Sequence, residues 1–229
     1  MKRLLMILTV LALLLSAVSC AECADKSINV DNQAYWRKVM QSYRDDDDVH
    51  QLLLVRYTGG CGAIVRFYEK LAEDNNCWTL VFEEEDAYVG KWGLGKTKEG
   101  DGKTPIGDFG VVTAFGIRSN PGTTIDYVDV TPAIYACDEN CEYYNTIVDT
   151  EKTGHACKGE EMYKLSPEYN YGLVLDYNAA NVREAGSAIF LHCKGEKYFT
   201  GGCVAISEEH METVLTYADS GMRVIIGND

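Results

Sequence analysis

Two residues near the C-terminal end could do covalent chemistry together. His192 closes the apolar run Ser187-Ala-Ile-Phe-Leu-His192, and after a polar turn at 194–197 comes Thr200-Gly201-Gly202-Cys203-Val-Ala-Ile206. A cysteine attacks as its thiolate, and an imidazole within hydrogen-bond reach can take the thiol proton and later return it to a leaving amine. The two glycines leave the backbone and thiol of Cys203 open to a substrate. If two strands joined by a hairpin carry these residues, the sulfur and the ring meet. The same pattern also suits a bland arrangement, in which His192 is a satisfied core histidine and Cys203 is half of a disulfide, with Cys193 as one partner.

The remaining motifs offer less. Gly90-Lys-Trp-Gly-Leu-Gly95-Lys96-Thr97 spells a phosphate-binding loop, but such a loop works by leading into a helix N-terminus, and Gly100, Gly102 and Pro105 forbid a helix there. The segment reads instead as a glycine-rich connection that can border a cleft, and no nucleotide is expected. His50, His155, His192 and His210, in a chain with nine cysteines, invite a test for zinc. Neither His192-Cys193 with Cys203 nor His155-Ala-Cys157 supplies a paired C-x-x-C or H-x-x-x-H element, so no metal is expected, and His155-Ala-Cys157 reads as a polar loop suited to a disulfide. The acidic run at 45–48 lacks the spaced ligands of a calcium loop and reads as a solvated turn. No cofactor is expected.

Short apolar or alternating runs must position these residues. Leu52–Tyr57, Ala63–Tyr68, Trp78–Phe82, Phe109–Ala114, Gly172–Tyr177 and Ser187–His192 read as strands. Two helices flank them: one capped by Asp31-Asn32, with Tyr35, Trp36, Val39, Met40 and Tyr43 at helical spacing, and one capped by Ser207, with Met211, Val214 and Leu215 on its apolar face. A strand at Met222–Ile226 closes the chain. The fold class is therefore mainly β with a few helices.

The formal net charge of −14 over 229 residues argues against nucleic acid and against an anionic membrane surface. Met1-Lys-Arg3 followed by an apolar run from Leu4 to Val18 reads as an export signal over 1–20, with Cys20 open to lipid modification as the one membrane link. Residues 21–50 read as a helical extension and 51–229 as a single catalytic domain. An exported, cell-envelope setting makes Cys61, Cys77, Cys137, Cys141 and Cys157 plausible disulfide members, with Cys23 and Cys193 as candidates for a further unpaired thiol.

At these residues the chain resembles a family. Gly186–Ile206, with Phe-Leu-His and Thr-Gly-Gly-Cys-Val-Ala-Ile, is similar to the catalytic core of the L,D-transpeptidase catalytic-domain (YkuD-type) family. Gly100-Asp-Gly-Lys-Thr-Pro-Ile-Gly107 resembles the family's upstream Gly-x-x-x-Thr-Pro-x-Gly signature, and Tyr171–Asn178 resembles the stretch before the family's histidine. The likeness covers most of Trp78–Met211. It is to a divergent branch, because Gly201 stands where the common form has histidine and Ala205 where it has arginine.

The resemblance implies a curved mixed β-sheet or sandwich. It implies that Cys203 is acylated, that His192 is the base, that the carbonyl of Cys193 orients the imidazole, and that the amides of Gly202 and Cys203 hold the oxyanion. Thr200, Gly201 and Tyr177 are then candidates for substrate contact. The implied substrate is the stem peptide of peptidoglycan, cross-linked by transpeptidation or cleaved by a carboxypeptidase or hydrolase through the same thioester, and carbapenem-type acylation of Cys203 is implied as well. A non-catalytic, disulfide-stabilised wall-binding domain is the reading of another class.

Overall fold

The computed structural model describes residues 33–71 and 77–228. The export signal, Cys20 and the Asp31-Asn32 cap lie outside the described residues. The first described helix, α1 (Gln33–Ser42), buries Trp36 and Met40, four residues apart and so on one face.

β1 (Gln51–Gly59), β2 (Gly62–Leu71) and β3 (Cys77–Tyr88) pair as an antiparallel meander. Leu52 to Val55 are buried in succession, as befits a strand covered on both faces, while β2 alternates buried Ala63, Val65 and Phe67 with half-exposed residues. Further along come β4 (Gly107–Gly116), β5 (Tyr127–Asp129), β9 (Gly172–Leu175), β10 (Phe190–Cys193), β11 (Val204–Ile206) and β12 (Arg223–Gly227). These nine strands form one mixed sheet in the order β12-β1-β2-β3-β11-β10-β9-β4-β5. The beginning of β4 also pairs with β12, Gly107 opposite Ile226, so the sheet curls until its two ends meet. Leu53, Val65, Phe67, Leu173, Leu191, Val204, Val224 and Met211 fill its main core.

A segment between β5 and β9 adds a second layer. It holds β6 (Ile134–Cys137), β7 (Thr146–Asp149), the one-turn helix α2 (Thr150–Thr153) and β8 (Glu160–Glu161), with strand order β7-β6-β8. Phe115, Phe190, Met162, Tyr169, Ile134 and Cys203 form a separate cluster where this layer meets the main sheet.

The connection between β10 and β11 differs from the expected hairpin. The two strands are parallel, Leu191 opposite Val204 and Cys193 opposite Ile206, and parallel neighbours require a crossover. The crossover is pinned at both ends to the β3 side of the sheet. Lys194 Nζ pairs with Glu84 and, at 2.9 Å, with Asp86, and Thr200 bridges to Gly90. Glu84, buried at 5 % exposure, also receives the amide and hydroxyl of Ser207 and the ring of His210, which fixes the start of α3 (Glu208–Tyr217) directly behind β11.

Candidate active site

The parallel register decides where the two reactive side chains go. Cys203 immediately precedes Val204, so it lies beside Phe190, and strand alternation puts Cys203, Phe190 and His192 on one face while Leu191, Cys193, Val204 and Ile206 enter the main core on the other. Cys203 and His192 are then one two-residue step apart along the strand direction, about 6.5 Å of backbone, with both side chains lining the same cleft of about 550 Å³.

His192 Nδ1 lies 2.7 Å from the carbonyl oxygen of Cys193. A carbonyl can only accept, so Nδ1 carries the proton of the neutral ring and Nε2 keeps its lone pair, which is the state a base requires. Burial lowers the imidazole's affinity for a second proton below the usual 6.5, outweighing the opposing pull of the Cys193 carbonyl and of Glu168. Tyr169 braces the ring edge-on at 5.4 Å.

Cys203 is neither open nor ionised at rest, contrary to expectation. It is 8 % exposed, its Sγ accepts the Phe190 amide at 3.3 Å, and its S–H donates to the Ala188 carbonyl at 3.2 Å. Burial pushes its pKa up to about 12, against the smaller opposing effects of the Phe190 amide and the Lys96 ammonium. The glycines that precede it do not unwrap the sulfur, because the aromatic cluster around Phe190 covers it from below. At rest the thiol and the imidazole are both neutral and each is engaged with backbone, Cys203 with Phe190 and Ala188 and His192 with Cys193, so the expected sulfur-to-ring hydrogen bond is not formed.

Two threonines hold the backbone of Cys203. Thr104, from the Thr-Pro-Ile-Gly107 turn, and Thr200 both donate their hydroxyls to the Cys203 carbonyl, at 3.1 and 2.7 Å. Thr200 Oγ1 also accepts the Gly202 amide at 3.1 Å, so the Gly202 amide, expected at the oxyanion, is engaged within the chain. Gly201 lines the cleft with open space around it, whereas a side chain at Gly202 would meet the Lys103 carbonyl at 2.9 Å. Gly201→Ala should therefore change thermal stability by less than about 0.5 kcal/mol, while Gly202→Ala should cost about 1–3 kcal/mol, both read from melting curves.

Tyr177 does not reach the cleft. Its hydroxyl donates to the Ala185 carbonyl at 2.7 Å and its ring packs on Phe109, so it supports the wall behind Gly186 and does not line the substrate space. The other histidines are engaged elsewhere, His50 with Asp219, His210 with Glu84 and His155 with Cys141, each through a ring nitrogen.

Beside Cys203, the segment that spells a phosphate loop runs through isolated bridges into β4, without a helix. Its Lys96 pairs with Asp101 at 3.1 Å, the two side chains 2 % and 8 % exposed. Asp101 also takes the amides of Thr97, Lys98 and Lys103, which together hold its carboxyl at about 2 although burial pushes the other way. Its stabilising contribution is therefore complete above the ordinary 3.8 and is lost as pH falls towards 2. Asp101→Ala leaves a buried ammonium unpaired and should cost about 3–5 kcal/mol in urea denaturation at neutral pH.

A family model for the L,D-transpeptidase catalytic domain (YkuD) matches residues 73–226. The chain belongs to this family. No curated protein and no solved structure matches it. The match spans both the Thr-Pro-Ile-Gly107 turn and the His192–Cys203 strands, the segments that the threonine clamp joins in space.

Sequence reasoning missed two features. One is a set of carboxylates, Asp138, Glu160 and Glu168, which lines the cleft together with Lys96, Lys158 and Lys197. The carboxylate of Glu160 is held above its usual range, first by burial and then by Asp138 and Glu168, although Tyr169 donates to it. The other corrects a disulfide expectation: Cys61, Cys137, Cys141 and Cys157 are free thiols, Cys193 is free and buried, and Cys77 is disulfide-bonded. Cys137, Cys141, His155 and Cys157 gather in one place, and the signal that could have revealed it is the pair of short spacings Cys-x-x-x-Cys and His-x-Cys.

Proposed function

We propose that this L,D-transpeptidase-family domain is an exported acyltransferase that acts on peptidoglycan stem peptides through Cys203. The observation that carries the reading is the shared face of β10 and β11, which turns a sulfur and an imidazole into one cleft. Substrate binding displaces the thiol from the Ala188 carbonyl, and His192 Nε2 takes its proton as Cys203 attacks the amide carbonyl between an L-centred third residue and a terminal D-alanine. The C–N bond breaks, D-alanine leaves with the proton from His192, and a thioester remains on Cys203. With the Gly202 amide engaged, the Cys203 amide is the oxyanion donor at this position. An amine of a second stem then attacks the thioester carbonyl, His192 takes the amine's proton and passes it to sulfur as the C–S bond breaks, and Cys203 is regenerated with a cross-link between third residues.

The cluster of Asp138, Glu160 and Glu168 favours a third residue with an ammonium on its side chain, such as diaminopimelate. A bound ammonium would relieve the mutual repulsion of Asp138, Glu160 and Glu168.

The test is incubation of purified protein with disaccharide tetrapeptides, with products resolved by mass spectrometry. Cross-linked dimers with free D-alanine are the expected products. Tripeptide monomers alone would identify water as the acceptor, and unchanged substrate would refute the reading.

A further inference from the structure

The side layer carries a second constellation, separate from the reactive pair and independent of the reading above. Cys137 ends β6, Cys141 follows on the next turn, and His155 and Cys157 lie between α2 and β8. Cys137 Sγ is 3.5 Å from Cys141 Sγ, and Cys141 Sγ is 3.6 Å from His155 Nε2. The donor atoms of Cys137, Glu139, His155 and Cys157 all lie within 4.8 Å of one another.

These separations match a metal's coordination sphere. Two sulfurs about 2.3 Å from a tetrahedral zinc stand about 3.8 Å apart, and a sulfur and an imidazole nitrogen about 3.6 Å apart. Two backbone amides also point at sulfur, Tyr143 at Cys141 Sγ (3.4 Å) and Gly159 at Cys157 Sγ (3.3 Å), each from two residues downstream. Such amides stabilise thiolates and orient them as ligands. A disulfide would use two of the three sulfurs and leave the third and the imidazole without purpose.

We propose that Cys137, Cys141, His155 and Cys157 form a structural zinc site. Glu139 competes with Cys141 for the fourth position. Cys141 is assigned because it touches both Cys137 and His155, while the Glu139 carboxylate already accepts the Lys158 amide at 2.9 Å. Binding releases the thiol protons to solvent, and the soft sulfur-rich donor set selects zinc over magnesium or calcium. The site staples together the two loops that present Asp138, Lys158, Gly159 and Glu160 to the cleft, so the metal sets the shape of one wall without touching the reaction.

The test uses the full chain, purified without chelator, with metal content measured by plasma mass spectrometry. About one zinc per chain is expected, and replacement by cobalt should give thiolate-to-cobalt charge-transfer absorption with the intense visible bands of a tetrahedral site. Cys141→Ser should lose most of the bound metal, and Glu139→Gln should keep it. The cobalt spectrum of the unmutated chain decides the matter even where a serine variant fails to fold. A metal-free chain that gives no such spectrum, or in which peptide mapping finds a disulfide between two of Cys137, Cys141 and Cys157, would overturn the proposal. Metal lost from Glu139→Gln but retained in Cys141→Ser would overturn the ligand assignment.

Discussion

Cys203→Ala should lower turnover of the stem tetrapeptide by about 10⁴- to 10⁶-fold, the scale on which nucleophile removal acts in enzymes that pair a nucleophile with a histidine. The fold survives the change. Alanine removes one sulfur from the cluster around Phe190 and leaves the Phe190 amide without its acceptor, a loss of about 1–2 kcal/mol. Kinetics on muropeptides together with a melting curve check both halves. Activity retained within tenfold of the unmutated protein would remove Cys203 from the mechanism.

His192→Gln should lower kcat/KM by about 10²- to 10⁴-fold, the usual contribution of a positioned base, and alter the pH dependence. The sign follows from burial. The ring must be neutral to accept the thiol proton, and its pKa lies below the usual 6.5, so activity persists through pH 6.5 and falls only as pH drops through the lowered value. The same shift makes His192 a source of stability that is complete above 6.5 and lost as pH falls through its folded value, because the unfolded chain binds the proton more readily. On the alkaline side, the Cys203 thiol stays protonated to about 12, so no rise in rate from resting thiolate should appear between neutral pH and pH 9. An acid limb centred above 6.5, or a profile unchanged in His192→Gln, would contradict a neutral-base mechanism.

Much of the sheet was legible because its strands carry their own pattern. Leu52–Tyr57 and Ala63–Tyr68 announce β1 and β2 through apolar runs and alternation, and Ser207 followed by Met211, Val214 and Leu215 announces α3 with its cap. The side layer was illegible because β6, β7 and β8 are four residues or fewer, too short for a period to register. The crossover between β10 and β11 was misread as a hairpin for a related reason: direction is set by long-range anchors, Lys194 on Glu84 and Thr200 on Gly90, which no local motif encodes.

The site divides in the same way. His192 and Cys203 stand out by residue type, and their common face follows from a register that only the folded sheet supplies. Burial of the thiol could not be read from Thr-Gly-Gly-Cys, since Phe190, Phe115 and Tyr169 converge on it from three separate segments. Tyr177 was a candidate substrate contact through the family resemblance, but its hydroxyl donates to the Ala185 carbonyl.

Peptide-resolved mass spectrometry of the protein after brief exposure to a carbapenem or to donor tetrapeptide tests the central claim most directly. The account predicts a single acyl adduct on the peptide that contains Cys203, absent in Cys203→Ala and slower to form in His192→Gln. An adduct on Cys61, or no adduct with either acyl donor, would contradict it.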